Sequence, residues 1–203
     1  MKKFLFAIAN ILLFPVIRLV FFARSTGRKN VPKSGGVIIA ANHINALDPF
    51  FISTFLPRNI RCLAKAELFR KPVFGAMMRA VGMVPVERAS VKRESIDGAL
   101  AVLEDGDALC IFPQGTRRKG VDPATTTIKS GVGMFAYHSK VPVIPVFIEA
   151  KGMKARPFHK TTVRFGEPIR YDELGFSAGS VSEFRDASQY IFDRICALKG
   201  GRS

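Results

Sequence analysis

From Phe4 to Ile17 the chain is apolar except at Asn10 and Pro15; Arg18 interrupts it, and a second apolar run follows from Leu19 to Ala23. The stretch is short for a bilayer span. Wound as a helix, it places Lys3, Asn10, Arg18 and Arg24 within about 120° of one another and leaves the rest of the surface to Phe, Leu, Ile and Val. Lys2 and Lys3 precede it and Arg24, Arg28 and Lys29 follow it. Cations at both ends suit a helix lying in the interface of one anionic leaflet. Pro15 is placed to kink it. Two other readings compete: a secretory signal, which lacks a small-residue cleavage site, and an ordinary helix packed on the domain's own core.

Beyond Pro32, β-rich runs alternate with helical patterns. The runs are Val37 to Ala41, Ile60 to Ala64, Met83 to Val86, Ala108 to Phe112, Val143 to Glu149 and Thr161 to Phe165. Alternation of this kind predicts an α/β fold. Ser90 is expected to cap a helix in which Ile96, Leu100 and Leu103 share a face until Gly106. Ser182 is expected to cap a last helix carrying Phe184, Ala187, Ile191, Ile195 and Leu198, with Gly200 as its stop. No internal repeat or linker divides the chain. The expected organisation is a membrane-binding helix over residues 1–29 and one domain over residues 30–203.

The length of 203 residues and the apolar share of 48% suit one domain with a real core and exclude a disordered chain. Charge adds a demand for an anionic partner, because 31 Lys and Arg face 16 Asp and Glu. The excess sits in the first half: residues 1–93 hold 16 basic and 3 acidic side chains, residues 94–203 hold 15 and 13. Nucleic acid, anionic lipid headgroups and phosphorylated small molecules all fit that imbalance. Against nucleic acid stand the absence of Trp, a content of only 3 Tyr, and the lack of a phosphate-loop or zinc-finger spacing. Cys62, Cys110 and Cys196 lie far apart, which predicts neither a zinc site nor a disulfide framework and suits a reducing compartment.

Candidate chemistry collects where predicted strands end. Asn42-His43-Ile44-Asn45-Ala46-Leu47-Asp48-Pro49-Phe50 leaves the first strand through a polar turn and enters a helix that Pro49 is suited to begin. His43 and Asp48 would stand about 140° apart on a helix, yet can meet across a turn. A carboxylate orienting an imidazole is the arrangement that removes a proton from a hydroxyl nucleophile. The alternative is that Asp48 caps the helix and His43 satisfies a local hydrogen bond. A second strand end carries Phe112-Pro113-Gln114-Gly115-Thr116-Arg117-Arg118-Lys119, with one glycine, a hydroxyl and three cations suited to phosphate. A third, Gly82 through Arg88, delivers another arginine after a β-like stretch.

With those blocks in order, the sequence resembles the glycerolipid acyltransferases, and within them the bacterial 1-acyl-sn-glycerol-3-phosphate acyltransferases. The family's His-x4-Asp box matches Asn42-His43 through Asp48, and its arginine-ending block matches Gly82 through Arg88. Its Phe-Pro-Glu-Gly-Thr-Arg block matches Phe112 through Arg117, and a fourth matches Val141 through Val146 with Pro145 inside it. Lys65-Ala66-Glu67-Leu68-Phe69, Lys129-Ser130-Gly131 and Gly166-Glu167-Pro168-Ile169 look like the family's intervening segments. The likeness spans roughly residues 30 to 170. Gln114 departs from it, standing where the family has glutamate; it keeps hydrogen-bonding capacity and loses the charge.

The resemblance implies a single-domain fold with a central, mostly parallel sheet flanked by helices. It implies an O-acyltransferase in which His43, oriented by Asp48, deprotonates the free sn-2 hydroxyl of a 1-acyl-sn-glycerol-3-phosphate. That oxygen attacks an acyl thioester, acyl-CoA or acyl carrier protein, and phosphatidic acid results. Arg88, Gly115, Thr116 and Arg117 would hold the acceptor phosphate, with neither metal nor cofactor. Apolar Phe50, Phe51, Phe69, Phe74, Met77 and Met78 are candidates for an acyl groove or for the core. The expected partners are an anionic membrane surface, the lysophospholipid and the acyl donor, with no nucleic acid. The expected location is peripheral or monotopic, on the cytoplasmic face of a bacterial inner membrane. Another lyso-lipid or glycerol-3-phosphate as acceptor, or a non-catalytic lipid carrier, would fit the same motifs.

Overall fold

The computed structural model describes residues 15–58, 60–80, 83–86 and 93–200, with side chains undescribed at 73, 74, 77 and 80. Its strands are β1 Arg24–Thr26, β2 Val37–Ala41, β3 Ile60–Lys65, β4 Val84–Val86, β5 Ala108–Ile111, β6 Val143–Ala150 and β7 Thr161–Phe165. Its helices are α1 Asp48–Ser53, α2 Pro72–Ala80, α3 Arg93–Glu104, α4 Gly131–Ser139 and α5 Val181–Cys196, and residues 15–20 are also helical.

One sheet runs in the order β1-β7-β6-β2-β5-β3-β4. All neighbours are parallel except β6 and β7. The expected mostly parallel α/β sheet is therefore present. Every residue of β2 and β5 is buried, as strands covered on both faces require. The chain leaves β2 for β3 on one side, and β5 returns it across β2 to β6 on the other. That places β2 between β5 and β6 at the centre of the sheet, where the loops after their carboxyl ends lie side by side.

Several details differ from the pattern read along the chain. Ser180, rather than Ser182, caps α5, accepting from the Glu183 N–H, because its extended backbone stands outside the helix while Ser182 lies within it. Ser90 and residues 1–14 lie outside the described residues, so the expected cap of α3 and most of the interfacial helix do too. Packing crosses the boundary expected at residue 29: Ile17 and Phe21 are buried in the core, and β1 pairs with β7. Phe51 is core, fully buried and edge-on to Phe21 at 5.1 Å between ring centroids, and Met78 is buried as well. Among the described residues no helix is long and apolar enough to cross a membrane.

Candidate active site

Three adjacent parallel strands deliver three loops to one edge of the sheet. His43 follows β2, the Phe112 to Arg118 loop follows β5, and residues 151–155 follow β6. Backbone bonds lock these loops together: Arg118 N–H donates to His43 O at 2.7 Å, and Gly120 N–H to Met153 O at 3.0 Å. The Asn45 side chain adds a bond to Ala155 O at 3.2 Å. Asn42, wholly buried, extends the ladder by side chain, giving to Ile148 O at 3.0 Å and taking from Ile148 N–H at 2.7 Å. The end of β2 is thereby pinned to β6.

Within this frame His43 Nδ1 lies 2.8 Å from Asp48 Oδ2. The same oxygen accepts from Ile44 N–H at 2.6 Å and Asn45 N–H at 2.8 Å. The carboxylate therefore organises the turn that precedes α1 and does not cap that helix. The His43 ring stacks on Phe112, centroids 4.1 Å apart and planes 19° apart, so both its plane and its tautomer are constrained. Its side chain is 11% exposed while Asp48 is fully buried. Nε2 has no hydrogen-bond partner among the described residues.

Burial pushes the Asp48 carboxyl above its ordinary value, and the His43 ring and the two backbone N–H groups oppose that rise. A carboxylate in such a setting gains from a cation beside it.

Gln114 is buried and bridges two loops. Its Oε1 accepts from His43 N–H at 2.8 Å, its Nε2 donates to Thr126 Oγ1 at 2.7 Å, and Thr126 Oγ1 donates to Pro123 O at 2.7 Å. Gly115 turns the chain with φ +66, a left-handed conformation that glycine adopts without strain. A Cβ there would meet Lys129 Cε at 3.2 Å, so the Lys129 side chain lies across the turn, and its N–H bonds Pro113 O at 2.9 Å. Thr116 and Arg117 are exposed, whereas Arg118 is half-buried with an Nε that has no partner among the described residues.

The structure thus brings together Asn42, His43, Asp48, Gln114, Gly115, Thr116, Arg117 and Lys129. Arg88 lies outside the described residues. Lys65 sits at the end of β3, paired with Glu67 at 2.7 Å. Pro145 is buried within β6, where its carbonyl takes the Gly166 N–H at 2.8 Å. Thr126 and Asn45 were not singled out by their own residue types. Asn45 lies within the His-x4-Asp box, and nothing local to Thr126 signals its bond to Gln114.

Residues 23–149 match the family model described as Acyltransferase. The chain belongs to this acyltransferase family. Among similar acyltransferases, a 1-acyl-sn-glycerol-3-phosphate acyltransferase of Borreliella burgdorferi is 36% identical over 60% of this chain and 48% of its own length. One of Bacillus subtilis is 28% identical over 70% of this chain and 71% of its own. One of Streptococcus pneumoniae is 28% identical over 68% of this chain and 51% of its own. The chain therefore spans about half the length of two of these relatives. The crystal structure of the 1-acyl-sn-glycerophosphate (LPA) acyltransferase of Thermotoga maritima shares the fold, with TM-score 0.70 at 24% identity over 99% of this chain and 82% of that one.

Proposed function

We propose that this acyltransferase moves an acyl group from a thioester of coenzyme A or acyl carrier protein to the sn-2 hydroxyl of 1-acyl-sn-glycerol-3-phosphate. The observation that carries the reading is the His43 ring, held by Asp48 on one nitrogen and free on the other, at the edge where the Phe112 to Arg118 loop converges. With Nδ1–H given to Asp48, the Nε2 lone pair takes the hydroxyl proton. The oxygen then attacks the thioester carbon, forming the C–O bond. Collapse of the tetrahedral intermediate breaks the C–S bond, and the imidazolium returns its proton to the departing thiolate.

Transfer is direct in this scheme. Cys62 and Cys110 are buried within strands β3 and β5, and Cys196 lies at the end of α5. The hydrogen bond with Cys62, and then burial, push the Cys110 thiol well above its ordinary value, the opposite of an activated nucleophile. The acceptor phosphate falls to Gly115, Thr116 and Arg117, with Arg88 from the block after β4. Arg118 adds a guanidinium already anchored by its backbone. Removing Arg88 or Arg117 is expected to raise the acceptor KM by the loss of charge-assisted bonds worth about 1.5 to 3 kcal/mol each. The basic first half and the apolar N-terminal segment suit work at an anionic membrane surface, where both acceptor and product reside.

The deciding experiment is acyl transfer to lysophosphatidate by the wild type and by His43→Ala, with acyl-CoA and acyl carrier protein donors. Turnover in the wild type that falls by at least about a hundredfold in the variant supports the proposal. Equal rates in both proteins, or none in the wild type with either donor, refute it.

A further inference from the structure

A cavity of about 640 Å³ opens away from the His43 loops, between the helical residues 15–20, the segment after β1 and the turn after α1. Five of its lining residues are cations, Arg18, Arg28, Lys29, Lys33 and Arg58, and none is an acid. Residues 31–33 lead into β2 and residues 57–58 lead towards β3, so the cavity lies at the amino ends of the parallel strands. The His43 site lies at their carboxyl ends, the length of β2 away, or about 17 Å.

Two of the cations are held rigidly. Arg18 bonds Thr54 through Oγ1 and the carbonyl, and its guanidinium sits 4.8 Å from the Phe55 ring centroid. Arg58 is buried and gives its guanidinium hydrogens to the carbonyls of Pro32, Gly35 and Gly106. Carbonyl acceptors orient these groups without an ion pair, and the one acid that acts on Arg58, Asp107, is itself paired with Arg61 at 2.6 Å. Arg28, Lys29 and Lys33 are exposed, and none of their three side chains makes a hydrogen bond or ion pair among the described residues. Five like charges around one concavity repel one another, and a bound anion relieves that repulsion.

The remaining wall is apolar, with Val31, Phe55, Leu56 and Pro57 among it. On the adjoining helical segment and turn, Val16, Leu19 and Phe22 are 54%, 73% and 49% exposed. Cationic pocket, apolar wall and exposed apolar side chains match a phosphate that carries hydrocarbon, more closely than they match a free ion.

We propose that this cavity is a second lipid site, which takes the headgroup phosphate of an anionic membrane phospholipid and is separate from the acceptor site. It rests on the preceding reading only for the membrane as the source of that headgroup. A lipid bound there is not the one acylated, because the sn-2 hydroxyl lies only a few bonds from its own phosphate and cannot reach His43 across the sheet. Phosphatidic acid, the product in that reading, belongs to the ligand class, so the surface would hold the enzyme more strongly as product accumulates.

The test uses the full chain and two triple variants, Arg28→Gln/Lys29→Gln/Lys33→Gln and, as a charge-matched control, Lys151→Gln/Arg156→Gln/Lys160→Gln. Sedimentation is measured with vesicles of phosphatidylcholine alone and of phosphatidylcholine mixed with phosphatidylglycerol. The cavity variant is expected to bind the mixed vesicles about a hundredfold more weakly than the wild type, at about fivefold per cation, with an unchanged melting midpoint. The control variant is expected to lose much less. Chemical-shift changes on adding monomeric dihexanoyl phosphatidylglycerol should centre on residues 28–33 and 54–58, and inorganic phosphate should not saturate the same shifts at comparable concentration. Equal losses in the two variants would reduce the effect to diffuse charge, and saturation by phosphate would make this a simple anion pocket; either overturns the lipid site. Wild-type acyl transfer, assayed separately, bears on the preceding reading and leaves this one standing or falling by binding.

Discussion

Asp48 is held in the wrong solvent for its charge. Burial pushes its carboxyl above the ordinary value, and three hydrogen bonds to one oxygen only partly offset this. A carboxyl whose folded value exceeds its unfolded one binds its proton more tightly in the folded state. Its ionised form therefore weakens the fold progressively as pH rises through the unfolded value, and in full above the folded value. Asp48→Asn is accordingly expected to keep or raise the melting midpoint at pH 7, read by calorimetry, while acyl transfer falls by at least about a hundredfold. A markedly lower midpoint would contradict this account of the carboxylate. Gln114 poses a related question, since a neutral amide bonds His43 N–H and relays to Thr126. Gln114→Glu would put a negative charge beside the imidazole and favour its cation. The acid limb of the pH–rate profile should then move to higher pH by about one unit; an unmoved limb would show that this residue serves packing alone.

At the scale of elements, α4 was invisible along the chain while α5 was plain. Gly131–Ser139 is apolar on most sides, because it lies between α5 and α3 and presents no clear polar face, and two glycines weaken its helical signal further. One of them is required by packing: a Cβ on Gly133 would fall 2.2 Å from the Phe184 carbonyl oxygen, and its N–H already bonds Ser188 Oγ at 2.9 Å. Gly133→Ala should cost about 1 to 3 kcal/mol in urea unfolding, as overpacking does. Ser180→Ala should cost about 1 kcal/mol by loss of the α5 cap, and Ser182→Ala far less. The three-residue β1 is equally hard to read, since Arg-Ser-Thr has no alternation to display and becomes a strand only because β7 offers it an edge.

For the whole molecule, the first half of the chain combines core, sheet edge and basic surface in a way that no boundary at residue 29 separates. Removing residues 1–14 should leave the domain folded and weaken its binding to anionic vesicles. Removing residues 1–24 takes Ile17 and Phe21 from the core, at about 1.5 to 3 kcal/mol each, and should lower the melting midpoint as well. Paired melting and sedimentation curves for the two deletions distinguish the effects. Local chemistry along the chain determined the α/β alternation, the His43–Asp48 turn and the phosphate-suited loop at Gly115, because strand ends, prolines and glycines act within a few residues. Only the tertiary structure decided that β5 and β6 flank β2. That order sets the His43 and Gly115 loops together and gathers Arg18, Arg28, Lys33 and Arg58 at the opposite edge. Strand order is settled by long-range pairing and burial, which no local pattern encodes.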